Sequence, residues 1–184
     1  DYTLGAINIV RDPRNVITSL MNHFSINEED ALKMMSNVNR NLRDRNDKDN
    51  YATYSFISSW DKNYRSWKLT KNINKILIKY EDLEKDIENT FLKIIKFTNK
   101  IMRKNDEINF EKLRKSIKTT EFDLLKRKEE KEGFDEAIYS SDNSKTKAFF
   151  NLGRNNDYKK LLNNKTIKSI EELFGEEMKE LRYL

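Results

Sequence analysis

An α/β fold, built on a short parallel sheet with long helices around it, is the class this sequence predicts, and three observations predict it. Two apolar runs of strand length, residues 6–10 and 76–80, stand far apart in the chain. Between and after them, apolar residues recur at helical spacing over long stretches. Glycine (4) and proline (1) are too scarce in 184 residues for the many tight turns of an all-β fold. Short strands joined by long helices are the pattern of a parallel sheet. The length suits a single domain over residues 1–184 with a sizeable core.

Each element follows from local chemistry. The first strand, 6–10, ends on Arg11. Asp12 then stands as a natural N-cap, and Pro13 sits at the first helical position, where its missing N–H costs nothing. That helix runs to about Phe24. Ser25, with Glu28 three residues on, reads as a capping box opening a second helix, whose apolar side carries Ala31, Met35, Val38 and Leu42. Residues 40–50, RNLRDRNDKDN, read as a charged hinge or loop. Residues 54–68 read as a helix with Phe56, Trp60, Tyr64 and Trp67 on one face, packed against the sheet. The second strand, 76–80, leads into Glu81 and Asp82, acidic residues that suit the positive end of a helix. The helix there buries Leu83, Ile87, Phe91, Ile94, Ile95 and Thr98. Asn109 opens a further helix marked by Phe110, Leu113 and Ile117. Residues 125–147 read as polar and loop-rich, and Ile167, Ile170, Phe174 and Met178 mark a last helix.

Composition narrows the function. The net charge of +5 favours anionic partners without choosing among them. Cysteine is absent, which excludes disulfides, thiolate metal sites and a cysteine nucleophile. There is no long apolar run and no signal-peptide pattern, so the expectation is a soluble, cytoplasmic chain with no membrane segment. It begins on Asp1 with a strand almost at once, and is expected to be a fragment of a longer protein. The lysines of 93–118 and 126–131 alternate with acids and read as solvated surface rather than a nucleic-acid patch. Glu81 and Asp82 read as a helix cap, not a metal pair, and His23 as a helix-surface residue.

The chemistry gathers at the end of the first strand. In an open parallel sheet, ligands sit at the carboxyl ends of strands, where helix N-termini also point. Arg11 occupies that place, and Asn15 and Ser19 share one helix face. A guanidinium and a hydroxyl together make a clamp for a terminal phosphate. A plainer reading fits the same residues: Asp12 caps, Arg11 pairs with a carboxylate, and Ser19 is helix surface. The residues alone leave both open.

The segment IVRDPRNVITS (9–19) resembles the 3′-phosphate-binding segment of the PAPS-dependent sulfotransferases. ILIKYEDL (76–83) is similar to that family's strand ending in Tyr-Glu-Asp. TTEFDLLKRKEEKEGF (119–134) resembles its Thr-x-Phe segment and the Glu-rich stretch after it. FFNLGRNNDYKKLL (149–162) resembles its Arg-Lys-Gly loop with the following Gly-Asp-Trp-Lys, and EEMKELRYL fits its final helix. The resemblance implies a P-loop-NTPase-like parallel sheet flanked by helices and incomplete at its N-terminus. It implies PAPS as cosubstrate, no metal, and sulfuryl transfer to a hydroxyl or amine acceptor: a small molecule, or a hydroxyl of a glycan or protein. Arg11 and Ser19 would hold the 3′-phosphate, and Tyr80, Thr120 and Phe122 would line the adenine.

Gly153 and its neighbours would wrap the phosphate. Asn151 and Leu152 stand where the family has Arg-Lys, so contact there falls to backbone N–H groups or Arg154, and Tyr158 stands for the usual Trp. The family's phosphosulfate loop and catalytic His would precede residue 1. No catalytic residue is therefore assigned, and the chain as given is expected to grip nucleotide without turning over. The alternative is a non-catalytic basic helical module that binds nucleic acid or protein. Neither the acceptor nor the oligomeric state is legible.

Overall fold

The structure is a computed structural model that describes residues 3–42, 55–134, 138–139 and 146–184. In chain order the elements begin with β1 (Gly5–Val10), α1 (Pro13–Phe24), α2 (Glu28–Ser36), β2 (Asn41–Leu42) and β3 (Ser55–Phe56). Next come α3 (Trp60–Leu69), β4 (Asn74–Lys79), α4 (Tyr80–Lys85), α5 (Ile87–Ile101), α6 (Phe110–Thr119) and α7 (Phe122–Glu132). The chain closes with β5 (Ile138–Tyr139), β6 (Thr146–Lys147), a 3-10 turn (Gly153–Asn155), α8 (Tyr158–Leu161) and α9 (Asn164–Glu180). They gather into two compact units: Asp1–Arg11 with Thr70–Asn155, and Asp12–Leu69 with Asn156–Leu184.

In the first unit β1 and β4 pair in parallel, in register from Gly5 opposite Asn74 to Val10 opposite Lys79. Helix α5 packs on both strands. A methyl at Gly5 would stand 2.8 Å from Cδ1 of Ile101 and 3.2 Å from the ring of Phe97, so the missing side chain is what lets the helix approach. The sequence suggests one helix after the second strand, whereas the structure has two. Asp86 leaves the helical region with ψ 78°, ends α4, and turns its carboxylate to accept the Asn89 N–H at the start of α5. The Thr90 hydroxyl reaches back to the Asp82 and Asp86 carbonyls across that break. The loop expected from residue 125 is also corrected, because α7 runs on through Glu132. Its Leu, Lys and Glu residues favour helix, and the helix stops only at Gly133 with φ +79°.

The second unit is helical, with a core of Ile17, Ala31, Met35, Leu162, Ile170, Phe174 and Met178 drawn from α1, α2 and α9 and from Leu162 just past α8. Burying each large aliphatic side chain of this kind contributes about 1.5–3 kcal/mol. Four expectations change here. Ser25 does not open a helix but closes α1 in the left-handed region (φ 55°, ψ 42°), and the cap of α2 is Asn27, which accepts from the Asp30 N–H. Helix α2 ends at Ser36, so Val38 and Leu42 lie beyond it and are exposed. Helix α3 starts at Trp60, which leaves Phe56 exposed in the short β2–β3 ladder and Trp67 at the edge of exposure. The partner of α3 is α9 rather than the sheet: Trp60 lies 5.4 Å from Phe174, ring to ring. The start of that predicted helix, Tyr54, and most of the 40–50 segment lie outside the described residues.

Polar contacts tie α3 to α9 as well. Tyr64 donates its hydroxyl proton to Glu180 at 2.8 Å, and Arg65 bonds Glu177 and Glu176. Burial, reinforced by Glu180, pushes the Tyr64 phenol up to about 12.

Candidate functional site

The parallel register builds the first cluster. Val10 and Lys79 are the last paired residues of β1 and β4, so Arg11 and Tyr80 emerge side by side at the carboxyl ends of the strands. The Arg11 guanidinium lies over the Tyr80 ring, 4.1 Å from its centroid. Glu84, one turn along α4, stands 3.9 Å from Nη2, close enough to feel the charge and too far for a hydrogen bond. Among the described residues, Arg11 Nε is buried and has no hydrogen-bond partner. A buried N–H donor left unpaired costs roughly 1–3 kcal/mol, so a cation held this way suits an anion that supplies the missing acceptor.

A second cluster in the same unit joins Phe122 and Gly153. Gly153 has φ +52°, and a methyl there would stand 2.6 Å from the Phe122 ring, so the 3-10 turn lies directly against that phenylalanine. Phe150 packs edge-on to Phe122 at 5.9 Å. The Glu129 carboxylate accepts the backbone N–H groups of Phe149 and Phe150, which fixes the chain leading into the turn. Arg154 is exposed within the turn. Thr120 is also exposed, and its hydroxyl donates back to the carbonyls of Ser116 and Ile117 at the end of α6.

Ser19 belongs to the second unit. It is exposed on α1, where its hydroxyl lies 3.1 Å from the Asn15 carbonyl and accepts from Asn156 Nδ2 at 3.1 Å. The helix N-terminus contributes less than the sequence implies. Asp12 takes the Arg14 N–H on its carboxylate and those of Asn15 and Val16 on its carbonyl. All three parts of the plainer reading are therefore present, since Asp12 caps, Arg11 has an ion-pair contact with Glu84, and Ser19 lies exposed on α1; any anion grip at this point falls to side chains.

Two residues here carry no signal in the sequence pattern. Arg14 is 6% exposed, its guanidinium bonds the Asp12 carboxylate three times, and it reaches Glu171 at 2.7 Å and the Tyr183 carbonyl at 2.8 Å. Burial works against its charge, but Asp12 and Glu171 outweigh that and hold the guanidinium above its ordinary range. Asn156, 8% exposed, bonds Thr18, Asn15 and Ser19. His23 packs edge-on to Phe24 at the last turn of α1. No cluster of metal-ligating side chains occurs among the described residues, and no helix among them is long and apolar enough to cross a membrane.

A family model described as "Sulfotransferase domain" matches residues 4–182. This chain belongs to the sulfotransferase family. No curated protein matches it. Among solved structures it is similar to a mouse sulfotransferase complexed with PAP, at 20% identity and a TM-score of 0.58, covering 95% of this chain and 58% of that one. It is also similar to a retinol dehydratase in complex with androsterone and the inactive cofactor PAP, at 16% identity and a TM-score of 0.64, covering 95% of this chain and 47% of that one. At such identities the likeness establishes the sulfotransferase fold. The chain spans about half the length of these structures.

Proposed function

We propose that this chain carries the nucleotide-gripping part of a PAPS-dependent sulfotransferase that transfers a sulfuryl group to a hydroxyl or amine of a small-molecule acceptor. One observation carries the reading: at the carboxyl end of β1, Arg11 stacks on Tyr80 with its Nε buried and unpaired among the described residues. Arg11 would bind the 3′-phosphate, and the Ser19 hydroxyl would donate to it. Phe122, held by Gly153, offers an aromatic wall for the adenine. Tyr80 supports Arg11 from below, and Arg154 is a further cation available to the nucleotide. Bound PAPS supplies the sulfuryl group; these residues hold and orient the nucleotide. The family membership and the PAP bound in both solved neighbours support the reading.

The test is ligand choice. The protein should prefer adenosine 3′,5′-bisphosphate over adenosine 5′-phosphate in calorimetry, with modest salt dependence. Equal affinity for the two nucleotides would overturn the reading, and affinity that grows with the length of single-stranded oligonucleotides and falls steeply with salt would place it among nucleic-acid binders instead.

A further inference from the structure

Asn156 makes three bonds to α1. Its Nδ2 donates to the Asn15 carbonyl and to Ser19 Oγ, both at 3.1 Å, while its Oδ1 accepts from the Thr18 hydroxyl. The partners fix the amide's orientation, because a backbone carbonyl can only accept. The Asn15 carbonyl also lies within reach of the Thr18 hydroxyl at 2.8 Å and the Ser19 hydroxyl at 3.1 Å. A carbonyl oxygen has two lone pairs and cannot serve all three side-chain donors well. Thr18 has a second acceptor in Asn156 Oδ1, so Ser19 is the donor in surplus, and it is the exposed one. Its oxygen already accepts from Asn156, which leaves its proton to give.

We propose that Asn156 is a positioning residue for phosphate recognition: by donating to Ser19 Oγ and occupying the competing Asn15 carbonyl, it leaves the Ser19 proton for a phosphoryl oxygen of the bisphosphate nucleotide. This rests on the function proposed above. Neither the strand-end pattern nor the resemblance points to Asn156, which stands where the family's pattern has Gly. The Tyr158 N–H donates to the Asn15 side chain at 3.2 Å, so the segment carrying Asn156 is fixed to α1 on both sides of Asp157.

Calorimetry with adenosine 3′,5′-bisphosphate and adenosine 5′-phosphate tests this on the whole chain and on Ser19→Ala, Asn156→Ala, the double variant and Asn156→Asp. Asn156→Ala should weaken bisphosphate binding about three- to tenfold, the worth of one neutral hydrogen bond. It should leave the monophosphate within about twofold and add nothing in the Ser19→Ala background. Asn156→Asp keeps the volume and the acceptor toward Thr18, and serves if the alanine variant fails to fold. Its carboxylate takes the Ser19 proton and repels the phosphate, so its loss should be the larger. Equal losses for both nucleotides, or losses additive with Ser19→Ala, would overturn the assignment. A wild type without preference for the bisphosphate would defeat the proposed function itself. A preference undiminished by every Asn156 substitution would defeat only the role of Asn156.

Discussion

The Arg11 guanidinium rests on the Tyr80 ring and is held by Glu84 only at ion-pair distance, not by a hydrogen bond, which bears on what it can bind. A cation locked to an acid at hydrogen-bond distance has little left for a ligand, whereas one stacked on Tyr80, with Glu84 at 3.9 Å, keeps its in-plane donors. The sequence made Arg11 legible because it stands at the carboxyl end of a strand, just before a helix N-terminus, where ligands of parallel sheets sit. It could not show Tyr80 beneath it, since that contact depends on the strand register. Arg14 was invisible for a related reason: its partners Glu171 and Tyr183 lie at the far end of the chain. Glu171→Ala and Asp12→Ala combined should cost about 3–5 kcal/mol because they leave a buried guanidinium without its carboxylates, and Arg14→Met should also be costly because it strands the buried Asp12 carboxylate. Urea unfolding of the variants checks this. Gly153→Ala should cost about 1–3 kcal/mol, since it strains a positive φ and drives a methyl into Phe122. Nucleotide affinity in that variant should fall with it.

At the scale of elements, periodicity located most helices but misplaced their ends. Ser25 and Asn27 are both good cap residues, and only the backbone separates them: Ser25 is left-handed and ends α1, while Asn27 is extended and starts α2. Asn27→Ala should therefore lower stability by about 1 kcal/mol, whereas Ser25→Gly should be neutral or stabilising. Equal losses would restore the capping box at Ser25. The α3–α9 contact offers a test by pH. The Tyr64 phenol sits at about 12 in the fold against an ordinary 10.0, so the unfolded chain loses that proton first as pH rises. The stabilisation is fully present below about pH 10 and is lost as the pH climbs toward about 12. The advantage of the wild type over Tyr64→Phe in denaturant should thus shrink over that window. A constant difference would mean that the phenol's proton does not couple to folding.

Over the whole molecule, the fold class was legible and the division into units was not. Two apolar runs and long amphipathic segments suffice for a parallel α/β class, and the pairing of β1 with β4 agrees. The chain, however, leaves the first unit at Arg11 and re-enters it at Thr70, and no composition shift marks either crossing. Candidate site residues fall in both units, with Ser19 in one and Arg11, Tyr80, Thr120, Phe122, Gly153 and Arg154 in the other. The resemblance proposes these positions because motif order survives where side-chain contacts cannot be read. It does not point to Asn156, whose proposed role rests on hydrogen bonds it makes only once the fold exists.

Calorimetry of adenosine 3′,5′-bisphosphate against the wild type and Arg11→Ala tests the account most directly. Removal of the guanidinium should cost about 1.5–3 kcal/mol of binding, the worth of a charged hydrogen bond, and should reduce the preference over adenosine 5′-phosphate by a similar amount. Unchanged affinity with the preference intact would contradict it.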